Sequence, residues 1–328
     1  MRILVVTNLY PGGVVPARGA FVANQVESLR EIGHEVAVVA IDGARTKLEY
    51  LRGIGRVREA LRRGPRDIVH AHYGLTALVA EMGVRLAPRE RRAPVVATYL
   101  GSDVLWSRQR WLSRLAARFA DLNIVMSEEM RRVLGAHRTL VLPNGTQLDR
   151  FHPLDPLEAR RLLGWPSDCC IVLFPWDSSR PEKDFPLAEA AIAHLGATVP
   201  LRLQTFFGES QARYNLALNA ADVVLLSSRW EGSPNAVREA LAVGTPVVAV
   251  PVGDTSEMLG GLPLCAVVER TPGAIADGLR QVLEARLADP AAPPRKIESR
   301  HRVEPFGVRQ VARRLTELYE RLLADRTA

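Results

Sequence analysis

The sequence predicts an α/β protein built from two doubly wound parallel sheets. Short β-branched apolar runs alternate with longer amphipathic stretches, the pattern of parallel strands covered by helices. The alternation comes as two series, parted by turn chemistry at Pro143-Asn144-Gly145. At 328 residues the chain is too long for one typical core and suits two.

In the first series the pattern predicts strands at 2–7, 36–40, 67–72, 95–100, 122–127 and 139–142. The opening run, Met1-Arg2-Ile3-Leu4-Val5-Val6-Thr7, has strand length and is too short for a signal peptide. Helices are expected between these strands, notably at 19–32, 74–86, 106–119 and 127–135. A helix from Pro156 to Leu163 leads into the second series. Strands follow at 170–174, 201–206, 222–228, 246–251 and 265–269, with helices near 184–195, 211–219, 234–243 and 272–287. The stretch Asp289-Pro290-Ala291-Ala292-Pro293-Pro294 reads as a linker. Beyond it, Val311, Leu315, Leu318, Leu322 and Leu323 share one side of a last helix at 305–324. The expected domains are therefore 1–148 and 149–304, with 305–328 a helix expected to pack back on the first.

Composition narrows the partners. Hydrophobic residues make up 47% and charged residues 24%, ordinary for a soluble globular chain. No apolar run approaches the roughly 20 residues of a membrane span. Of the 3 cysteines, Cys169 and Cys170 are adjacent, and the odd count with Cys265 fits a reducing cytoplasm. The net charge of +7 favours phosphates or an acidic membrane surface. No nucleic-acid motif accompanies it, so nucleic acid is not an expected partner. Gly-x-Gly-x-x-Gly does not follow the first strand, which disfavours NAD or FAD. Neither a Cys/His ligand spacing nor an Asp-x-Asp pair occurs, so no metal and no cofactor are expected.

The most informative stretch runs from Ser227 to Val248. A strand ends in a loop carrying Glu231, and Pro234 stands where a helix begins, a place where its missing N–H costs nothing. Such a helix start presents free backbone N–H groups to an anion, here from Pro234, Asn235, Ala236 and Val237. Glu239 lies two turns further along. Two carboxylates beside an anion site make sense as acceptors from hydroxyl groups. Their other reading is a helix N-terminal charge and a solvated helix face.

Here the chain resembles retaining glycosyltransferase family 4, whose Glu-x7-Glu element precedes a Gly-x-Pro-Val-Val strand. Glu231, Glu239 and Gly244-Thr245-Pro246-Val247-Val248 match it. Similar weaker matches run through the chain: Gly33-His34-Glu35-Val36, Asp67-Ile68-Val69-His70-Ala71-His72, Ala120-Asp121 to Ser127-Glu128, Pro143-Asn144-Gly145 with Phe151, and Ala220-Ala221-Asp222. The resemblance implies the GT-B arrangement, two Rossmann-like domains facing a central cleft. It implies a nucleotide-diphosphate sugar as donor, bound mainly by the second domain, and an acceptor that stays unidentified.

The resemblance also implies an Arg and a Lys clamping the diphosphate. Lys183 matches the Lys; the usual Arg position holds Ser178, so either Arg180 swings in from a remodelled loop or Trp176-Asp177-Ser178 changes the site. A glycine that lets amides approach the diphosphate is best matched by Gly19, with Gly12 and Gly13 as plain turn residues or as part of that loop. In Thr98-Tyr99-Leu100-Gly101-Ser102-Asp103 the usual sugar-contacting His is Leu100, so its role is expected to pass to Asp103 or His72. His72 has a second reading as a packing residue. Two other functions stay open: a nucleotide-sugar epimerase on the same scaffold, and a non-catalytic sugar-nucleotide-binding subunit.

The stretch from Trp106 to Phe119 joins large apolar residues to arginines. At helical spacing Arg110, Arg114 and Arg118 share a face, with Trp111, Leu115 and Phe119 beside them. The first expectation is that this apolar stripe packs on the sheet. The alternative is contact with an anionic bilayer surface.

Overall fold

The computed structural model describes all residues except 12–18, 44, 197–199, 290–291 and 328. Gly12 and Gly13 thus lie outside the described residues. The chain forms two compact units, Met1–Gly145 with Val308–Ala328, and Thr146–Gly307. The boundaries expected at 148 and 304 each stand three residues from these.

In the first unit, β1 (Arg2–Thr7), β2 (Glu35–Ala40), β3 (Ile68–His72), β4 (Val95–Thr98), β5 (Leu122–Val125) and β6 (Thr139–Val141) form one sheet in the order β2-β1-β3-β4-β5-β6. Every pairing in it is parallel. Its central strands are mostly apolar and buried, as expected of a parallel sheet covered by helices. Those helices are α1 (Ala20–Glu31), α2 (Leu48–Arg63), α3 (Gly74–Arg85), α4 (Ser102–Leu105), α5 (Ser107–Ala117) and α6 (Glu128–Leu134).

The second unit opens with α7 (Pro156–Leu163), capped by the Asp155 side chain on Glu158 N. Its strands are β7 (Cys170–Phe174), β8 (Leu201–Thr205), β9 (Val223–Leu226), β10 (Val247–Ala249) and β11 (Ala266–Val267). They pair in the order β11-β10-β9-β7-β8, all parallel. Around them lie α8 (Phe185–Leu195), α9 (Gln211–Ala220), α10 (Asn235–Ala242), α11 (Thr255–Leu259), α12 (Pro272–Ala288) and α13 (Arg300–Val303). The last helix, α14 (Val308–Thr327), belongs to the first unit, where Val311, Leu315 and Leu322 join its core.

In each sheet the order of successive strands reverses at one point: between β1 and β3, and between β7 and β9. Crevices at the carboxyl ends of strands on either side of such a point are where open α/β sheets bind ligands.

Three expectations need correction. The helix expected at 106–119 is broken, because Trp106 is extended (φ −79°, ψ 121°) and separates α4 from α5. Its apolar stripe does not pack on the sheet. Trp111, Leu115 and Phe119 are 62%, 36% and 43% exposed, while Ser113, Ala116 and Ala117 are buried. Arg110 leaves the expected basic face to donate to the carbonyls of Val104 and Leu105, at 2.9 Å each. Among the described residues no helix is long and apolar enough to cross a membrane.

Candidate functional site

In the second unit the loops after β7 and β9 meet at the switch point. Ser227, just past β9, donates its hydroxyl to the carbonyls of Lys183 and Asp184 at 3.0 and 3.1 Å. Arg229 N donates to Glu182 O at 2.8 Å. This lacing ends β9 sooner than the expected residue 228 and fixes the two loops against each other. Lys183 Nζ and Glu231 Oε1 then stand 2.5 Å apart, both side chains largely buried. Ser228 Oγ donates to the same carboxylate oxygen at 2.7 Å, and the Trp176 ring lies 4.9 Å from the ammonium. The pair joins residues 48 positions apart, which nothing but the fold could bring together.

Arg180 does not join them. It is half-exposed and pairs with Glu182 two residues on. Two other guanidinium groups, those of Arg229 and Arg270, pair with Asp184, which follows Lys183 in a left-handed conformation (φ 53°).

The start of α10 is as the sequence suggests, with one change. Asn235 and Ala236 hold the first helical positions, whose N–H groups have no acceptor in their own helix. Val237 N instead donates to Pro234 O at 3.1 Å, and the Val237 side chain lies in the core. Val237 and Pro234 are thus part of the framework of the helix start. Among the described residues no donor reaches the buried Asn235 Oδ1. Glu239 is half-buried and lies beside the Tyr214 hydroxyl; burial pushes its carboxyl up to about 7. That excludes a plain solvated helix face.

The first-unit candidates His72, Asp103 and Gly19 each make structural contacts. His72 is 1% exposed, stacks on His70 with centroids 4.4 Å apart, and its Nε2 meets Gln25 Oε1 at 2.5 Å. Burial pushes its pKa down to about 3, so the ring is neutral and packed. Asp103 is fully enclosed, and its carboxylate accepts the Leu100, Gly101 and Gly74 N–H groups at 3.0 Å each. Burial raises its pKa to about 6 against those three bonds. It holds the turn after β4 to the start of α3. Gly19 caps α1 at φ 83°, and a Cβ there would stand 2.2 Å from Leu9 O. That backbone approach alone demands glycine.

Ser228 and Tyr214 carried no sequence signal of their own, and Trp176 only as part of the stretch that departs from the family pattern. Ser228 lies inside the quoted Ser227–Val248 stretch, but a serine three residues from a glutamate is common in loops. Among the described residues no group of three His, Cys, Asp or Glu side chains stands ready to hold a metal ion.

Two family models match the chain: Glycosyltransferase Family 4 over residues 14–150, and Glycosyl transferases group 1 over residues 189–285. The two matches, one in each unit, make the chain similar to glycosyltransferases of the family 4 type. This glycosyltransferase is 24% identical to TuaC of Bacillus subtilis (strain 168), a glycosyltransferase ascribed to teichuronic acid biosynthesis, over 88% of this chain and 92% of TuaC. Its fold is GT-B. A sucrose-phosphate synthase from Thermosynechococcus elongatus superposes with a TM-score of 0.79 at 18% identity, covering 99% of this chain and 100% of that one. Alr3699/HepE of Anabaena, solved in complex with UDP-glucose, gives 0.70 at 18% identity, covering 98% and 99%.

Proposed function

We propose that this glycosyltransferase moves a sugar from a nucleoside-diphosphate sugar to a hydroxyl acceptor, with retention of configuration and without a metal ion. The Lys183–Glu231 pair across the β7/β9 switch point carries the reading. An ammonium has three N–H donors. One serves Glu231, and two remain for oxygens of a diphosphate. As the C1–O bond to that diphosphate breaks, negative charge grows on the leaving oxygen, and a fixed cation in a poorly solvated setting stabilises it more in the transition state than before. Glu231 orients Lys183 and accepts from a sugar hydroxyl. The Asn235 and Ala236 N–H groups and Asn235 Oδ1 suit the rest of the donor, and Glu239 a ribose hydroxyl. Retention follows from the Glu-x7-Glu resemblance: the acceptor oxygen bonds to C1 on the face the diphosphate leaves, and its proton passes to the departing phosphate oxygen. The UDP-glucose bound by HepE supports the donor class.

Turnover is expected to fall at least ~100-fold in both Lys183→Ala and Glu231→Ala, because each removes a charged contact strengthened in the transition state. Far-ultraviolet spectra should match the parent. Near-normal turnover in both variants would overturn the site. Donor binding without transfer across an acceptor panel would instead favour the non-catalytic subunit. The same assay in EDTA should lose nothing, since Lys183 and the α10 start take the part a metal clamp would have; loss restored by Mn²⁺ would contradict this.

We further propose a cytoplasmic protein whose α5 face touches an anionic membrane surface. The support is the exposure of Trp111, Leu115 and Phe119 beside the exposed Arg108, Arg114 and Arg118.

A further inference from the structure

The loop that carries Glu231 is gripped from behind by a group the chemistry above does not use. Arg238, one residue before Glu239 in α10, is fully buried. Its Nη2 lies 2.8 Å from Asp254 Oδ2 and also donates to Ser233 Oγ. Ser233 Oγ in turn donates to the same Asp254 oxygen at 2.5 Å. The guanidinium lies over the Phe306 ring, 5.2 Å from its centroid. Ser233 belongs to the loop between β9 and α10, and Asp254 to the loop after β10. These loops also touch through their backbones. Gly253 has φ +60°, and a Cβ there would stand 2.9 Å from Gly232 O and 3.3 Å from Glu231 O.

A buried cation on a helix face is costly unless it is tied to specific partners. An apolar side chain would fill the space but could not hold Ser233. Neighbouring helix positions point in different directions. Glu239 can therefore face Tyr214 while Arg238 reaches behind the loop.

We infer that Arg238 is a positioning residue for the donor site: by tying Ser233 to Asp254 it fixes the path of residues 231–234 and so holds Glu231 opposite Lys183. The inference rests on the reading of Lys183 and Glu231 as donor contacts. Arg238 touches no donor atom in it. Its effect comes through preorganisation, since a loop that must order itself on binding gives back part of the binding free energy.

The test uses the full-length protein and the variants Arg238→Met, Arg238→Lys, Ser233→Ala and Gly253→Ala. UDP, GDP, ADP and TDP are titrated separately by calorimetry, and amide hydrogen exchange is followed by mass spectrometry. Arg238→Met should exchange at least ~10-fold faster over residues 231–236, with β7 and β9 unchanged. It should also weaken the tightest of the four nucleotides about 10-fold. Arg238→Lys should recover much of both. Ser233→Ala, which alters no buried charge, and Gly253→Ala, which pushes the same loop, report if Arg238→Met does not fold. Exchange and affinity both at parental levels in the folded variants would overturn the inference. If Glu231→Ala still abolishes transfer in that case, the site reading stands and only the role of Arg238 is lost. If Glu231→Ala is itself harmless, the site reading fails first.

Discussion

A carboxylate and an ammonium 2.5 Å apart hold each other's charge, so Lys183 and Glu231 meet a ligand as a neutral pair. An incoming diphosphate then brings the charge that redistributes the ammonium's donors. Glu239 behaves differently. Burial raises its carboxyl from an ordinary 4.5 to about 7, and the Tyr214 hydroxyl only partly offsets this. An acid raised in the folded state favours folding while it stays protonated. That contribution is complete below pH 4.5 and is lost as pH rises through about 7. Glu81 and Asp103, raised to about 7 and about 6 by burial, act in the same direction. Glu239→Ala should remove part of this decline, seen as a flatter dependence of melting temperature on pH between 5 and 7. The same variant should weaken nucleoside diphosphate binding more than it slows turnover. A ribose hydroxyl is far from the reacting carbon, and its contact is nearly equal in ground and transition states. Unchanged affinity by calorimetry would leave Glu239 as a partner of Tyr214 alone.

At the scale of elements, sequence patterning carried most strands and helices because apolar period and turn residues are local properties. It failed where tertiary bonds decide. β9 and β10 end early because Ser227 turns to Lys183 and because Thr255 Oγ1 bonds back to Val250 O at 3.0 Å. α2, a 16-residue helix, had no named expectation, since Gly53 and Gly55 weaken its helical pattern. Gly53 is there for space: a Cβ would stand 2.9 Å from Ile41 Cδ1. The candidate site divides along the same line. Lys183 and Glu231 were legible as motif positions, and the structure adds the contact between them. Arg180 and His72 were plausible by position in sequence alone; the structure pairs the first with Glu182 and stacks the second on His70. Asp103 likewise turns inward, where its carboxylate accepts three backbone N–H groups.

For the whole molecule, the net charge of +7 acts where apolar surface is also exposed. Trp106, Trp111, Leu115 and Phe119 on and around α5 are 44%, 62%, 36% and 43% exposed, and Met82 and Leu86 at the end of α3 are 50% and 58% exposed. The two groups adjoin, since α3 packs on α5 and the Arg85 guanidinium lies 4.4 Å from the Phe119 ring centroid. Large side chains left in water along one helix are not explained by packing, because Ser113, Ala116 and Ala117 already supply the buried side of α5. Aromatic rings seated among arginines combine interfacial partition with attraction to anionic lipid, worth on the order of 1 kcal/mol per basic residue near the surface. The proposed contact therefore requires both components. Co-sedimentation should be clear with anionic vesicles at low salt, weaker at high salt as the charges are screened, and slight with neutral vesicles. Trp111→Ser with Phe119→Ser should reduce binding even at low salt, because insertion of the rings is lost, while the fold and the sugar-transfer assay in detergent-free solution stay as they were. Equal binding to both vesicle types, or none at low salt, would leave this face without a membrane role.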